Sequence, residues 1–187
     1  MKKLTHDQIA ENRSTLETIH KVSKLPVYVL LDSIRSSYNV GSIFRTSDGV
    51  MIEKLFLCGY TPHPPKSNLQ NGKKEILKTA LGSTESVNWE YVTDPLEVIK
   101  QLKKNGVKIC ALELTNKSKK YYEACSKDFP ICLIVGNEIS GVSQSLIDLC
   151  DFSIEIPQYG IKQSLNVAVA YGIAIFELRK IFDQNTE

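Results

Sequence analysis

"SLNVAVAYGIAIFELRK", residues 164–180, is the stretch on which the fold turns. Leu165, Ala168, Val169, Gly172, Ile173 and Phe176 recur at steps of three and four. That spacing predicts a helix over 164–180 with this face turned to the core. So apolar a helix needs a sheet to lie against. Yet it opens with Ser164 and Asn166, two hydrogen-bonding groups that do nothing for apolar packing.

The sheet is legible upstream. "LPVYVLLD" (25–32) is a continuous apolar run ending in Asp32, as expected of a strand buried on both faces. "KLFLCG" (54–59), "VNWEYV" (87–92), "KICALEL" (108–114), "ICLIVG" (131–136) and "FSIEIP" (152–157) read as further strands. Helices fall between them. "NVGSIFRTSDG" (39–49) turns Val40, Ile43 and Phe44 to the core, and "ILKTALG" (76–82) is a short helix closed by Gly82. "DPLEVIKQLKKNG" (94–106) carries Asp94 as cap, Pro95 at the first helical position and a glycine stop. A short helix is expected over about 143–150. Strands alternating with helices predict an α/β fold, a mostly parallel sheet covered by helices on both faces.

Ahead of the first strand, Thr5 and Gln8 form a capping-box pattern, predicting a helix over about 6–22 with Ile9, Leu16 and Ile19 inward. Residues 1–24 are thus an N-terminal helical extension and 25–187 the domain proper. "YTPHPPKSN" (60–68) is broken by three prolines and is expected to be a flexible loop. "NKSKKYY" and "NGKKE" read as solvated turns.

Composition narrows the function. The chain has 187 residues, 42% hydrophobic and 24% charged, as in a globular domain with a real core. No apolar run approaches ~20 residues, so no membrane span is expected. The start shows no secretory pattern. Five cysteines without a C-x-x-C pair read as reduced thiols in a cytoplasm, and no metal is expected. Residues 66–127 hold twelve Lys/Arg against seven Asp/Glu, whereas 128–161 hold five acids and no base. A basic middle fits a polyanionic partner, though a solvated surface has the same composition.

"ICLIVGNEISGVS" (131–143) comes close to a phosphate-binding loop, but Val142 stands where the lysine belongs and Glu138 puts a negative charge where phosphate would lie. Nucleotide hydrolysis is therefore set aside. The loop still follows a strand at the edge where open α/β sheets bind ligands. Two others do the same: "SIRSSYNVGSIFR" after the first strand and "QYGIKQSLN" after the last. Gly41, four residues before Arg45, would leave room beside the guanidinium.

Three ordered patterns now stand together: N-x-G-x-x-x-R (Asn39, Gly41, Arg45), G-x-E-x-x-G (Gly136, Glu138, Gly141) and I-P-x-x-G-x-x-x-S-L-N-V from Ile156 to Val167. In this order over roughly 25–182 they resemble the SpoU (TrmH-type) RNA 2′-O-ribose methyltransferase family of the SPOUT superfamily. The resemblance implies a deep C-terminal trefoil knot, a bent S-adenosylmethionine held largely by backbone around Leu112, Gly136, Ile156 and Leu165, and a homodimer with the C-terminal helix at its interface and the active site completed across it.

The same resemblance implies the catalytic set Asn39, Arg45, Glu138, Ser164 and Asn166. A ribose hydroxyl is a weak nucleophile until its proton leaves, and no histidine lies in the motifs. Arginine is a poor literal base, with a pKa above ~12. Arg45 would instead bind the adjacent RNA phosphate and share the proton with it. Glu138 would hold Arg45, Asn39 and Asn166 would position ribose and phosphate, and Ser164 would support them. Lys66, Lys73, Lys74, Lys78, Lys117, Lys119 and Lys120 are candidates for phosphate contacts, Tyr60, Tyr121 and Tyr122 for stacking. Either tRNA or rRNA can be the substrate. The short leader before the first strand favours tRNA. The alternative is a catalytically silent RNA-binding or assembly protein of the same fold.

Overall fold

A computed structural model describes residues 1–11, 13–66 and 70–185. The end of the expected loop at 67–68 and the last two residues of the domain lie outside them.

In chain order the elements are α1 (His6–Glu11), β1 (Leu25–Asp32), α2 (Ser37–Val50), β2 (Ile52–Cys58), α3 (Glu75–Ala80), α4 (Ser83–Ser86) and β3 (Trp89–Val92). Then come α5 (Pro95–Lys104), β4 (Lys108–Leu112), β5 (Lys119–Lys120), β6 (Ile131–Val135), α6 (Gln144–Ile147), β7 (Phe152–Glu155) and α7 (Val167–Asp183). The sheet order is β3-β2-β1-β6-β4-β7-β5. Every pairing is parallel. All C-terminal strand ends therefore share one edge, as the α/β reading requires.

Burial on both faces explains the runs of unbroken apolar residues. Val27, Val29 and Leu31 of β1 join a core layer with Phe44 of α2 and Tyr171, Ile175 and Leu178 of α7. Leu30 of β1 faces the other layer, with Val98, Ile99 and Leu102 of α5 and Leu146 of α6. Each such side chain taken fully from water contributes roughly 1.5–3 kcal/mol. Asp94 caps α5 by accepting from Leu96 N at 2.9 Å, with Pro95 at the first position. The cysteines are all free.

Several expectations need correction. The leading helix stops at Glu11, and a single 3₁₀ turn follows at Ile19–Lys21. The Thr5–Gln8 capping box does form. However, Ile9 and Leu16 are 46% and 60% exposed, and no residue of the helix is buried. "NKSKKYY" contributes an edge strand, Lys119 and Lys120 pairing with Ile154 and Glu155. The Pro-rich segment is packed: Thr61 and His63 are buried. Thr61 Oγ1 accepts from Ile34 N at 3.0 Å and lies 2.6 Å from the Cys58 carbonyl it donates to.

The largest correction concerns α7. It starts at Val167, and the face laid on the sheet is Tyr171, Ala174, Ile175, Leu178 and Ile181. Half of the expected inward face points outward: Leu165, Val169 and Phe176 are 39%, 51% and 55% exposed, whereas Ala168, Gly172 and Ile173 are partly buried at its flanks. Tyr171 fixes the choice. Its hydroxyl, fully buried, shares a 2.7 Å hydrogen bond with Ser47 of α2, and a buried hydroxyl needs such a partner.

Candidate active site

β1 and β6 are neighbours, so the segments that follow them meet. Asn137 Nδ2 donates to the Ser33 carbonyl at 2.7 Å and to Tyr60 Oη at 2.8 Å. Ser143 N donates to Asp32 Oδ2 at 3.0 Å. The loop between them is closed on itself, with reciprocal 3.0 Å bonds between Asn137 and Gly141. A Cβ on Gly136 would come within 2.2 Å of Gly141 C and Val142 N, so this close approach requires glycine. The Asn137, Ile139, Ser140 and Gly141 amides are all bonded within the loop, which agrees with setting aside a phosphate cradle.

This turn aims Glu138 at the entrance of α2. Its carboxylate accepts from Arg35 N at 2.8 Å, Ser36 N at 3.1 Å and Asn39 Nδ2 at 2.9 Å. Partial burial works against the charge, but these donors outweigh it and hold the carboxyl below the ordinary carboxylate range. Asn39 Oδ1 in turn accepts from Asn166 Nδ2 at 3.1 Å. The Asn166 Oδ1 accepts from Ala168 N at 2.9 Å and Val169 N at 3.3 Å, capping α7. Asn166 thus starts the helix and ties it to Asn39, and its cap satisfies two of the first amides of α7.

Beside this chain of bonds lies a cavity of about 640 Å³ at the C-terminal ends of β6, β4 and β7. All four expected cofactor residues, Leu112, Gly136, Ile156 and Leu165, line it, together with Glu138 and Ser164. Its volume falls in the usual ligand range of about 300–1,000 Å³. The apolar wall from Leu112, Val135, Ile154 and Leu165 suits a flat heterocycle, and the three loops bring backbone groups to its rim.

Arg45 is not part of this wall. It is exposed on α2 and makes no ion pair among the described residues. Glu138 therefore does not hold it; the carboxylate is taken up by two backbone amides and Asn39. Asp48, another possible partner, accepts instead from Ser86 Oγ. Gly41 does not make room for the guanidinium either. A Cβ there would lie 2.1 Å from Thr79 Oγ1 and 2.3 Å from the Ile76 carbonyl, so Gly41 lets α2 pack on α3.

Glu113 went unrecognised. Its Oε2 accepts from Val142 N at 2.9 Å, bracing the 136–141 loop, and it lines the cavity. β4 ends at Leu112, one residue before it, whereas the sequence reading ran the strand to Leu114. A charge directly after an apolar run was the available signal.

No metal-binding group of three or more His, Cys, Asp or Glu occurs among the described residues. No helix there is long and apolar enough to cross a membrane.

The chain is similar to known proteins in sequence and fold. The profile of the SpoU rRNA Methylase family matches residues 26–176. The tRNA (guanosine(18)-2′-O)-methyltransferase of Aquifex aeolicus (strain VF5) is 33% identical over 166 residues, 88% of this chain and 73% of that protein. The crystal structure of the A. aeolicus TrmH/SpoU tRNA modifying enzyme has a TM-score of 0.78 at 29% identity, covering 91% of this chain and 84% of that one. An AdoMet-bound rRNA methyltransferase from Sinorhizobium meliloti has a TM-score of 0.73 at 27% identity, covering 87% and 59%. With a profile spanning nearly the whole of the sheet and the first part of α7, the chain belongs to the SpoU rRNA Methylase family.

Proposed function

We propose that this chain methylates a ribose 2′-hydroxyl of RNA using S-adenosylmethionine, with tRNA the preferred substrate over rRNA. One observation carries the reading: the Asn166–Asn39–Glu138 hydrogen-bond chain stands beside a cavity lined by Leu112, Gly136, Ile156 and Leu165. The first relative named above is a tRNA enzyme, which supports the choice of tRNA. The trefoil knot belongs to the same reading, supported by a return segment after β7 that shares one cavity with the loops after β4 and β6. Residues 25–187 form the catalytic domain and 1–24 an extension, in keeping with the absence of buried residues in α1.

Bound in this cavity, S-adenosylmethionine supplies an electrophilic methyl group. The chain's own residues must orient the ribose and handle one proton. Glu138, anchored by three donors, fixes the Asn39 amide. Asn39 and Asn166, each holding the other, position the ribose and its phosphate, and Ser164 supports them from the cavity rim. Arg45 binds the phosphate next to the target and shares the hydroxyl proton with it. Such positioning brings reacting atoms to ~3–3.5 Å.

The working unit is a homodimer, and the free thiols suit a cytoplasmic setting. Support for the dimer comes from the exposed apolar face of α7, Leu165, Val169 and Phe176. Arg45 lies one helical turn before Gly49, where a Cβ would be 3.9 Å from Phe176 Cζ. The arginine thus borders that face, where a second subunit completes the site.

The test uses purified protein, tritiated S-adenosylmethionine and total RNA from cells lacking the gene, followed by ribose-methylation mapping. One RNA nucleotide is expected to gain the label. Binding of RNA without S-adenosylmethionine binding or transfer would overturn the proposal in favour of a silent assembly protein.

A further inference from the structure

A second, smaller cavity of about 360 Å³ opens where β2 and β3 end. Tyr60, His63, Gln70, Asn71, Lys73 and Tyr91 are its chemistry-bearing walls. It is built rather than incidental. His63 is 8% exposed and packs on Tyr91 with ring centroids 5.0 Å apart. The Lys73 amide donates to the His63 carbonyl at 2.8 Å. Tyr91 Oη donates to the Gly59 carbonyl at 2.7 Å. A Cβ on Gly72 would come within 2.5 Å of Pro65 Cα, so the two arms of the loop touch backbone to backbone.

The polar groups are oriented. His63 Nδ1 is 2.9 Å from the Pro64 carbonyl, which can only accept. That bond places the proton on Nδ1 and leaves Nε2 an acceptor in the neutral ring. Gln70 and Asn71 each add one amide, a donor and an acceptor. Lys73 is exposed and makes no ion pair among the described residues. Aromatic walls, amide edges and one cation suit an unpaired nucleobase with its phosphate, since RNA is read on splayed-out bases by stacking and edge hydrogen bonds. Tyr60 is 63% exposed, and its hydroxyl accepts from Asn137, the residue next to Glu138. One wall of this cavity is thereby joined to the loop that holds Asn39.

Resting on the methyltransferase reading above, the geometry points to a nucleobase subsite here: the His63–Asn71–Lys73 cavity takes an unpaired base flanking the methylated nucleotide and helps select the RNA. Asn71→Gly keeps the left-handed backbone at φ 62° while removing the amide, and Lys73→Gln removes the charge. The full chain is titrated with the four ribonucleoside 5′-monophosphates and, as a control, ribose 5-phosphate, following the His63 ring and the Gln70 and Asn71 amide resonances. One or more monophosphates should shift these signals, ribose 5-phosphate should not, and the double variant should lose the response. In tritium transfer to bulk RNA the double variant should raise KM about tenfold or more, with kcat and S-adenosylmethionine affinity unchanged. Shifts of equal size with ribose 5-phosphate, or no shift and an unchanged KM, would overturn the subsite while methyl transfer by the native chain still stands. Failure of the native chain to methylate any RNA would strike the function proposed above, and the titration would still decide the cavity.

Discussion

The Asn39 amide donates to the Glu138 carboxylate across 2.9 Å, although 99 residues separate them in the chain. The contact exists because β1 and β6 are adjacent and parallel, so the segments after them leave the sheet side by side. Glu138 accepts from two backbone amides as well, so it fixes the start of α2 and the orientation of Asn39 together.

Glu138→Gln turns one acceptor oxygen into a donor facing N–H groups. Methyl transfer should fall by about 10-fold or more, the scale of one charge-assisted hydrogen bond. S-adenosylmethionine affinity by calorimetry should stay within twofold. The pH dependence has a definite sign. The folded-state pKa of Glu138 is lowered, with burial opposing and the Arg35, Asn39 and Ser36 donors prevailing. Its stabilisation is therefore fully present above the ordinary carboxylate value and is lost as pH falls through the lowered one. Thermal melts from pH 7 down to 3 should show a smaller acid-side drop in the variant. An identical drop in both chains would refute this account of the carboxylate.

Arg45 offers a cleaner separation of chemistry from folding. Its side chain is exposed and makes no ion pair among the described residues, so Arg45→Ala should change stability by less than about 0.5 kcal/mol. Transfer should be abolished while S-adenosylmethionine still binds. Arg45→Lys should recover little, because a point charge cannot grip a phosphate in two places. Full turnover in the alanine variant would remove Arg45 from the mechanism.

Gly41 tests a different link, from sequence to packing. Alanine in a helix interior gains roughly 1 kcal/mol over glycine. Here the new Cβ would lie 2.3 Å from the Ile76 carbonyl, a backbone atom that cannot turn aside. Overpacking of this kind costs about 1–3 kcal/mol, so the clash should win. Gly41→Ala should lower the melting temperature by several degrees. An unchanged or higher melting temperature would mean that α3 moves freely away from α2.

How far the sequence carried depended on how one-sided each signal was. β1 is apolar at almost every position and capped by Asp32, and its bounds agree with the reading residue for residue. The Asp94–Pro95 start of α5 likewise combines two independent cues. Helix α7 has the opposite problem. Val, Ala, Ile, Gly and Phe occupy most of its circumference, so the 3.6-residue period fits more than one face. A buried hydrogen bond from Tyr171 to Ser47, 124 positions away, decides between them. Prolines announced irregular backbone at 62–65, but whether irregular backbone is solvated or packed depends on distant partners such as Ile34. Asn39, Glu138 and Asn166, which the structure links by hydrogen bonds, stand in spaced motifs; their bonding was not legible, because two of the three Glu138 donors are backbone amides that carry no side-chain signature.

The α7 face carries the last prediction. Leu165, Val169 and Phe176 present an apolar strip that the sheet leaves uncovered, and Phe176 lies alongside Gly49 on the helix that bears Arg45. In the homodimer proposed above that strip would be buried, and an unpaired charge placed there would lose its hydration without a partner. On that proposal Phe176→Glu should convert a dimer to a monomer, read as a halved mass by light scattering at micromolar protein. The fold should survive, since Phe176 is not part of the core layer beneath α7 and an exposed glutamate in a monomer costs little. Transfer should drop sharply with the loss of the second subunit. S-adenosylmethionine affinity should fall less, because the lining at 112–114, 135–141 and 154–165 comes from one chain. A variant that remains dimeric would show that the subunits meet on another face, and one that is monomeric yet fully active would show that a single chain holds the whole site.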